Sequence, residues 1–217
     1  MQLTHLGHSC LLVEIADSRI LVDPGNIDAG WHDVRDLDAV VVTHAHPDHL
    51  DLDRLPELLA ANPGAVVVAD PGSLTALAGA GIEALGHGGD AARVGEVRLT
   101  PVGEVHALIH EDIARIANVG VRFDADGEPS LFVPGDSLEA DPGPVDVLAF
   151  PLTAPWQASR DMVGFLRRLA APVAIPIHEG VASAAGRAIY LGHARNLGPA
   201  TTEVRDLAGA GPATFSR

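Results

Sequence analysis

The sequence predicts an α+β fold in which two β-sheets are covered by helices. Short apolar or alternating runs, typical of strands, come in two blocks, and a few segments between and after them have helical spacing. Glycine and proline interrupt the chain between these runs, as expected at turns. The 217 residues, 47% of them apolar, are enough for one domain over residues 1–217 with a buried core.

The N-terminal block contains strand patterns followed by a helix, a strand and a second helix. Leucines at positions 52, 55, 58 and 59 recur at helical spacing and predict a helix over residues 52–61. The apolar run 65–69 predicts a buried strand, and a small-residue helix is expected near residues 73–80. The strands predicted before them are Gln2 to Leu6, Cys10 to Ile15, Arg19 to Val22 and Ala39 to Thr43.

The C-terminal block returns to strand patterns. Asp126-Gly127 predicts a hairpin turn between two of its strands. A helix over residues 159–170 precedes a strand over residues 173–177, and a last strand is expected over residues 202–207. The other predicted strands are Val94 to Val102, Ala114 to Phe123, Ser130 to Val133 and Val145 to Phe150.

Composition excludes several classes of protein. The formal net charge is −15 and all 14 basic residues are arginine, which disfavours nucleic acid or an anionic membrane as a partner. Without lysine, a Schiff-base mechanism is excluded. The apolar runs are far shorter than the roughly 18–20 residues that cross a bilayer. With no basic leader and a single cysteine, Cys10, the sequence predicts a cytoplasmic protein, a monomer or homo-oligomer, that acts on a small molecule.

The strongest functional signal is Thr43-His44-Ala45-His46-Pro47-Asp48-His49, which follows an apolar strand. His44 and His46 alternate on an extended segment, so their rings can point the same way. Pro47 disfavours a helix at His46, and the chain then turns so that Asp48 and His49 can point elsewhere. This geometry suits two metal ions better than one.

Three further candidate ligands, His106, Asp136 and His178, each lie just past the end of an apolar strand. Loops at one edge of a layered sheet are where sites are usually built. Together with the motif they make five imidazoles and two carboxylates, a ligand set for zinc-like ions that leaves positions open for water. Open positions indicate catalysis rather than a structural site. His110, four residues after His106, is the nearest competitor.

These residues resemble the metallo-β-lactamase superfamily. The resemblance rests on the motif 43–49, His106, Pro134-Gly135-Asp136-Ser137 and His178. The segments Leu6-Gly7-His8-Ser9 and Leu21-Val22-Asp23-Pro24 and the last predicted strand look like the branch that contains L-ascorbate-6-phosphate lactonase and related hydrolases. The resemblance implies an αββα sandwich with metals at one edge of the two sheets.

The resemblance also implies a ligand assignment. His44, His46 and His106 would hold one metal, and Asp48, His49 and His178 the second, with Asp136 bridging the two. Asp136 differs from the cysteine of the best-known antibiotic-degrading members, and His46 differs from the glutamate of the di-iron redox members. Both of those activities are therefore less favoured here.

We therefore expect a binuclear metal-dependent hydrolase that uses a metal-bridging hydroxide on a small-molecule ester, lactone or phosphodiester bond. The expected cofactors are two divalent ions, Zn²⁺ first, with Mn²⁺ or Fe²⁺ as alternatives. Asp136 would also orient the hydroxide. His8 is a candidate catalytic residue at the rim of the site, because members of the family place the Gly7-His8-Ser9 motif near the opening of the metal centre. Its alternative role is that of a turn histidine bonded to backbone.

Other interpretations stay open. A mononuclear iron oxygenase or redox protein on the same fold is the first alternative, and a nucleic-acid-processing phosphodiesterase is the second. A non-catalytic metal-binding module is the last, since open coordination positions would serve no purpose in it. Metal analysis separates the first from the hydrolase, and salt-sensitive binding to RNA or DNA would support the second.

Residues around the site receive less specific roles. Asp23 is expected to orient a ligand histidine, and Asp51 to cap the helix that follows it. Cys10 is interpreted as a small core residue. Substrate specificity is expected from loops 25–36, 153–160 and 186–196, which carry Trp31, Trp156, Arg160, Tyr190 and Arg195. The remaining histidines are interpreted as surface or loop residues, namely His5, His32, His87 and His193.

Overall fold

The computed structural model describes residues 1–217 and contains fourteen strands and four helices. In the N-terminal half these are β1 (Gln2–Gly7), β2 (Cys10–Ile15), β3 (Ser18–Val22), β4 (Ala39–Val42), α1 (Leu55–Ala61), β5 (Val66–Ala69), α2 (Ser73–Gly79), β6 (Leu85–Gly86), β7 (Ala92–Val94) and β8 (Val97–Val102). In the C-terminal half they are β9 (Gly120–Asp124), β10 (Leu131–Val133), β11 (Val147–Pro151), α3 (Ser159–Leu169), β12 (Val173–Ile177), α4 (Ala184–Leu197), β13 (Glu203–Val204) and β14 (Ala213–Thr214). None of the helices is long and apolar enough to span a membrane.

The strands form two sheets of seven. The first has the order β14-β1-β2-β3-β4-β5-β6 and the second the order β13-β12-β11-β10-β9-β8-β7. Helices α1 and α2 pack on the outer face of the first sheet, and α3 and α4 pack on the outer face of the second. The predicted αββα sandwich is confirmed.

Three apolar layers hold the sandwich together. Side chains alternate between the two faces of a strand, so each central strand contributes to two layers. In β4, Val41 points into the layer between the sheets, whereas Val40 and Val42 pack with Leu55 and Leu58 of α1. Strand β11 shows the same division between the central layer and the layer under α3. Strands that are buried on both faces explain the unbroken apolar runs in the sequence.

The sequence predicted most elements, and several need correction. The predicted strand 94–102 is a hairpin, in which β7 and β8 pair antiparallel around a turn at residues 95–96. Residues 186–196, predicted as a loop, belong to α4, which begins after Ser183 and has Leu191 buried against α3. Two glycines weaken the intrinsic helix propensity of this segment, so its packing on α3 stabilises the helix. Residues 114–119, predicted as part of a strand, precede β9. Helix α1 begins at Leu55, and Asp51 accepts hydrogen bonds in the turn before it, from the amides of Asp53 and Arg54.

All the strand ends that matter for the site lie at one edge. Strands β3, β4 and β5 run parallel, as do β10, β11 and β12. Strands β1 and β8 have the same direction as the parallel strands of their sheets, since each is separated from them by one antiparallel neighbour. The residues that follow these strands at this edge are His8, Asp23, His44, His106, Asp136, Thr153 and His178.

Candidate metal centre

Eight side chains at this edge form two adjoining groups of candidate metal ligands. The first half-site consists of His44, His46, His106 and Asp136. The second half-site consists of His8, Asp48, His49 and His178. Within each half-site, the potential ligand atoms all lie within 4.8 Å of one another. The structure therefore brings together all seven predicted ligands, and adds His8 to the second group.

Asp136 lies between the half-sites. Its Oδ1 is 3.2 Å from Nε2 of His49 and 3.2 Å from Nε2 of His178. Its Oδ2 is 3.3 Å from Nε2 of His106 in the first half-site. One carboxylate thus faces ligand atoms of both groups, as a bridging ligand must.

Four buried histidines are locked with Nε2 facing the centre. Each donates a hydrogen bond from Nδ1 to a fixed oxygen, so the neutral ring has its lone pair on Nε2, where a metal can bind. His44 donates to Thr43 Oγ1 at 3.1 Å, and the Thr43 hydroxyl in turn donates to Asp23. The other acceptors are Ala107 O for His106 at 2.6 Å, Thr153 O for His178 at 2.9 Å and Asp23 Oδ2 for His49 at 2.8 Å.

The centre contains buried polar atoms that make no hydrogen bond. They are Nε2 of His44, Nε2 of His106, Nε2 of His178 and Oδ1 of Asp136. Buried polar atoms without partners are rare in folded proteins because each one costs free energy. Imidazole nitrogens and a carboxylate oxygen are also what zinc-like ions bind. The residues present therefore fit divalent metal ions.

Asp23 acts as the predicted partner of a ligand histidine. It follows β3, is fully buried, and accepts hydrogen bonds from the Thr43 amide and hydroxyl as well as from His49. The carboxylate fixes the His49 ring and, through Thr43, also the ring of His44. One side chain outside both half-sites thus orients a histidine in each.

The pKa values differ between the half-sites. Burial lowers the pKa of His44 well below its usual value, and burial also lowers that of His46. In the second half-site burial acts in the same direction on His178, but contacts with Asp136 and Asp48 outweigh it and raise the pKa to about 9. The pKa of His49 is raised for the same kind of reason, by Asp136 and Asp23.

His8 occupies the second half-site with the opposite ring tautomer. The amide of Gly180 donates to its Nδ1 at 3.1 Å, so the ring proton of the neutral imidazole lies on Nε2. This Nε2 is 3.2 Å from Oδ2 of Asp48 and donates to it. In this tautomer His8 offers the centre a hydrogen-bond donor and no free lone pair. It is therefore better suited to orient Asp48 than to bind a metal.

Backbone conformations at the centre are unusual. His8, Asp23 and His178 have φ values of 46°, 47° and 62°, in the left-handed region that residues other than glycine rarely adopt. Such positions cost roughly 1–3 kcal/mol each and persist where the surrounding structure enforces them, often at functional sites. The His178 amide donates to the His8 carbonyl at 2.8 Å, which joins two of these positions.

The turn that carries Asp136 depends on a glycine and an asparagine. Gly135 has φ of 61°, and a Cβ there would lie 2.4 Å from Asn118 Oδ1 and 2.6 Å from Thr43 Oγ1. Asn118 is buried, accepts from the Asp136 amide at 2.8 Å and donates to Pro134 O at 2.9 Å. Sequence analysis missed Asn118, because nothing in its neighbourhood marks a contact with a turn sixteen residues away.

The two tryptophans have different roles. Trp156 donates from Nε1 to Oδ2 of Asp136 at 2.9 Å, and its ring centre lies 5.9 Å from that of His106 and 6.4 Å from that of His178. Trp31 is fully buried in the layer under α1 and donates to the carbonyl of Gly25. Of these two candidates for the substrate pocket, only Trp156 contacts the centre.

The remaining histidine predictions are partly wrong. His110 is exposed beside Asp112 and belongs to neither half-site. His5 and His87, interpreted as surface or loop residues, are both buried. His5 donates from Nε2 to the carbonyl of His8 at 2.8 Å, because β1 turns its side chain inward just before the His8 turn. His87 follows β6, and neither of its ring nitrogens makes a hydrogen bond.

The fold and site define a two-sheet protein with a centre built for divalent metal ions at one edge. A profile of the family described as "Beta-lactamase superfamily domain" matches residues 2–178. The chain therefore belongs to the metallo-β-lactamase superfamily, as the sequence motifs indicated.

Individual relatives agree with this membership. Protein Rv0786c of Mycobacterium tuberculosis is 40% identical over 216 residues, which cover 99% of this chain and 100% of the relative. A UPF0173 metal-dependent hydrolase of Rhizobium etli is 32% identical over 151 residues, 63% of each chain. Among solved structures, Igni18, a metallo hydrolase of Ignicoccus hospitalis, superposes with a TM-score of 0.72 at 19% identity over 99% of both chains. The structural likeness shows the shared fold.

Proposed function

We propose that this protein is a binuclear metal-dependent hydrolase. The proposal rests on one observation above the others, that Asp136 faces ligand atoms of two complete His/Asp groups. A structural metal site would saturate its ligands with protein atoms around one ion. The names of relatives support the same class, since the Rhizobium etli protein and Igni18 are both described as hydrolases.

The residues of the two half-sites would hold the ions. His44, His46 and His106 would bind one of them, Asp48, His49 and His178 the other, and Asp136 would bridge. Bound there, two divalent ions supply Lewis-acid chemistry, which lowers the pKa of a shared water and polarises the oxygen of the scissile bond. Zn²⁺ is our first choice of metal, because imidazole-rich sites with carboxylates suit it.

The chain itself orients the ligands of the centre. Fixed Nδ1 hydrogen bonds aim four imidazoles at the centre before any ion arrives, so little reorganisation is needed on binding. His8 holds Asp48 through its Nε2 proton. We assign His8 the role of a residue that positions Asp48 in the second half-site.

The reaction we propose is hydrolysis of an ester, lactone or phosphodiester bond in a small molecule. Water adds its oxygen to the acyl carbon or phosphorus, the bond to the leaving oxygen breaks, and that oxygen takes a proton. No nucleophilic side chain is required. The net charge of −15 makes a nucleic-acid substrate unfavourable, because polyanions are bound by basic surfaces.

Metal analysis tests the proposal. Wild-type protein purified without a metal-binding tag should contain close to two metals per chain by elemental mass spectrometry. Asp48→Ala should retain about one, because it removes a ligand of the second half-site only. Asp112→Ala, an exposed carboxylate on the His106 loop, should retain both and is the matched control. One iron per chain, unchanged in Asp48→Ala, would contradict the binuclear hydrolase and favour the oxygenase.

A further inference from the structure

Apolar side chains are exposed on the loops that carry the metal centre. Ile27 (37% exposed) lies four residues after Asp23, and Val181 (52%) three residues after His178. Leu108 (56%) and Ile113 (49%) lie on the loop that follows His106. Half of the eight exposed large apolar side chains of the molecule are therefore on loops at this edge. Exposed apolar residues that cluster in this way mark a binding surface more often than chance placement does.

One apolar flank adjoins the second half-site. A Cβ built on Gly180 would lie 2.6 Å from Cγ2 of Ile27 and 3.1 Å from Nδ1 of His8. Ile27 and His8 therefore meet over the same glycine, and Val181 is the next residue of the chain. A molecule bound on the Asp48 side of the centre would therefore lie beside this flank.

The opposite flank adjoins the first half-site. Ile109 and Ile113 lie beside His46 and His106 around a gap that has no room for a water molecule, so a substrate would pack on the outer surface of these side chains. The Trp156 ring lies against His106 and His178 and so extends the apolar surface across both half-sites. The polar centre thus has apolar side chains on either side and an indole beside it.

Cations at this edge are already paired. Arg35 lies 3.9 Å from Asp33, Arg115 lies 3.7 Å from Glu139, and Arg160 lies 3.1 Å from Asp161. Arg115 also donates to the carbonyl of His106. Substrates that carry anionic groups beside the reacting bond are bound by free cations, and these loops do not provide one.

We propose that the substrate is an uncharged carboxylic ester or lactone with an apolar acyl or alkyl group, which packs between the Ile27/Val181 flank and the Ile109/Ile113 flank. This inference rests on the proposed hydrolase function and narrows it. Hydrolysis would place the reacting carbonyl at the polar centre and leave the apolar substituent against the loops. The acyl carbon gains the hydroxyl of water, and the alcohol oxygen keeps the electron pair of the broken bond and gains the proton.

Chain length of the substrate tests the apolar flanks. The zinc-loaded protein is assayed with p-nitrophenyl acetate, butyrate, hexanoate and octanoate. Each methylene fully removed from water favours binding by about fourfold, so kcat/KM should rise at least about tenfold from butyrate to octanoate through a lower KM. Equal kcat/KM along the series would overturn the proposal, as would faster hydrolysis of bis(p-nitrophenyl) phosphate than of any ester.

Variants localise the effect. Ile27→Ser/Ile113→Ser should flatten the rise of kcat/KM with chain length, since it removes apolar surface from both flanks. Leu197→Ser is the matched control, because Leu197 is 46% exposed at the C-terminal end of α4, at the opposite edge of the sheet. Loss of the chain-length effect in Leu197→Ser would contradict the assignment to these loops.

A binding measurement keeps the test separate from the hydrolase proposal. Isothermal titration of octanoate and butyrate into the zinc-loaded protein needs no turnover. Tighter binding of octanoate that disappears in Ile27→Ser/Ile113→Ser would support the apolar flanks even if no ester is hydrolysed, in which case the proposed activity alone fails. Equal affinity for the two acids would overturn the apolar flanks.

Discussion

The two half-sites share Asp136 but differ in their charge state before a metal binds. In the first, His44 and His46 have lowered pKa values, and the imidazoles are neutral at pH 7. In the second, His49 and His178 are paired with carboxylates that raise their pKa values. Burial tends to raise the pKa of Asp48, but the imidazoles of His178 and His8, 3.5 Å and 3.2 Å from its Oδ2, outweigh it and hold the pKa well below its usual range.

This difference in protonation predicts the order in which the two half-sites bind metal and how each depends on pH. A metal entering the first finds lone pairs already free. A metal entering the second displaces protons from His49 and His178, because a ligating imidazole must give up the proton on its binding nitrogen. We expect the first half-site to fill first and the second to depend more steeply on pH.

The largest effect should come from the residue that the half-sites share. Asp136→Ala removes a ligand from both and should lower kcat/KM at least about a thousandfold, since metal-based charge stabilisation is worth several kcal/mol. Metal content should fall below that of Asp48→Ala, while circular dichroism shows a folded chain. Full activity of Asp136→Ala would rule out the bridging role.

Trp156 should affect both half-sites to a smaller extent. Trp156→Phe keeps a ring beside His106 but loses the hydrogen bond to Asp136. Partners that orient a ligand in this way are worth about 10–100-fold in metal affinity, which a competition titration against a chelator measures without an activity assay.

Gln157→Leu is the control for Trp156→Phe. It removes the hydrogen bond of 3.0 Å between Gln157 Nε2 and the Pro151 carbonyl, on the same loop but away from the centre. Metal affinity should stay within about twofold of wild type in this variant. Equal losses in both variants would indicate a destabilised loop instead of a lost donor to Asp136.

His8 should act on the second half-site alone. His8→Asn tolerates the positive φ of this position, since asparagine is among the residues that adopt it, but its shorter side chain loses the hydrogen bond to Asp48. A hydrogen bond to a charged group is worth about 1.5–3 kcal/mol, so kcat should fall about tenfold or more with both metals retained. Unchanged kcat together with a lower Tm would show that His8 only stabilises its turn and does not position Asp48 for the reaction.

The sequence located the side chains of the centre better than it located their supports. The motif 43–49 and the residues after apolar strands can be identified because short apolar runs show where buried strands end. The acceptors that orient His106 and His178 are backbone carbonyls, which every residue has and which the sequence therefore does not mark. Asn118 and Trp156 were missed as partners of Asp136 because their contacts depend on how distant loops pack.

The same limit applies to the fold. Short apolar runs predicted the central strands, whereas α4 was missed because Gly186 and Gly192 lower its helix propensity and its stability comes from packing on α3. Residues 114–119 are largely apolar, as in a strand, but they form the loop that contains Asn118. The side chain of Asn118 supports the Asp136 turn. In this loop the contacts of Asn118 with the metal centre determine the backbone conformation, and the apolar strand pattern does not.

The smallest effect concerns the metal-free protein and the charge of the second half-site. His178 has a pKa raised from 6.5 to about 9 by Asp136 and Asp48. A group with a raised folded-state pKa stabilises fully below its unfolded value and loses that contribution as the pH rises through the folded value. The Tm of metal-free protein should therefore fall between pH 6.5 and 9, by about 2–4 °C for each kcal/mol lost.

Zinc should reverse this trend. Metal binding needs deprotonated imidazoles, so affinity at the second half-site strengthens over the same range in which the metal-free protein weakens. The measurement is thermal unfolding at several pH values with chelator and with excess zinc. In metal-free His178→Asn the fall should shrink, because Asn cannot carry the charge that pairs with Asp136. A metal-free Tm that rises between pH 6.5 and 9 would contradict the charge pairing by which the two half-sites differ.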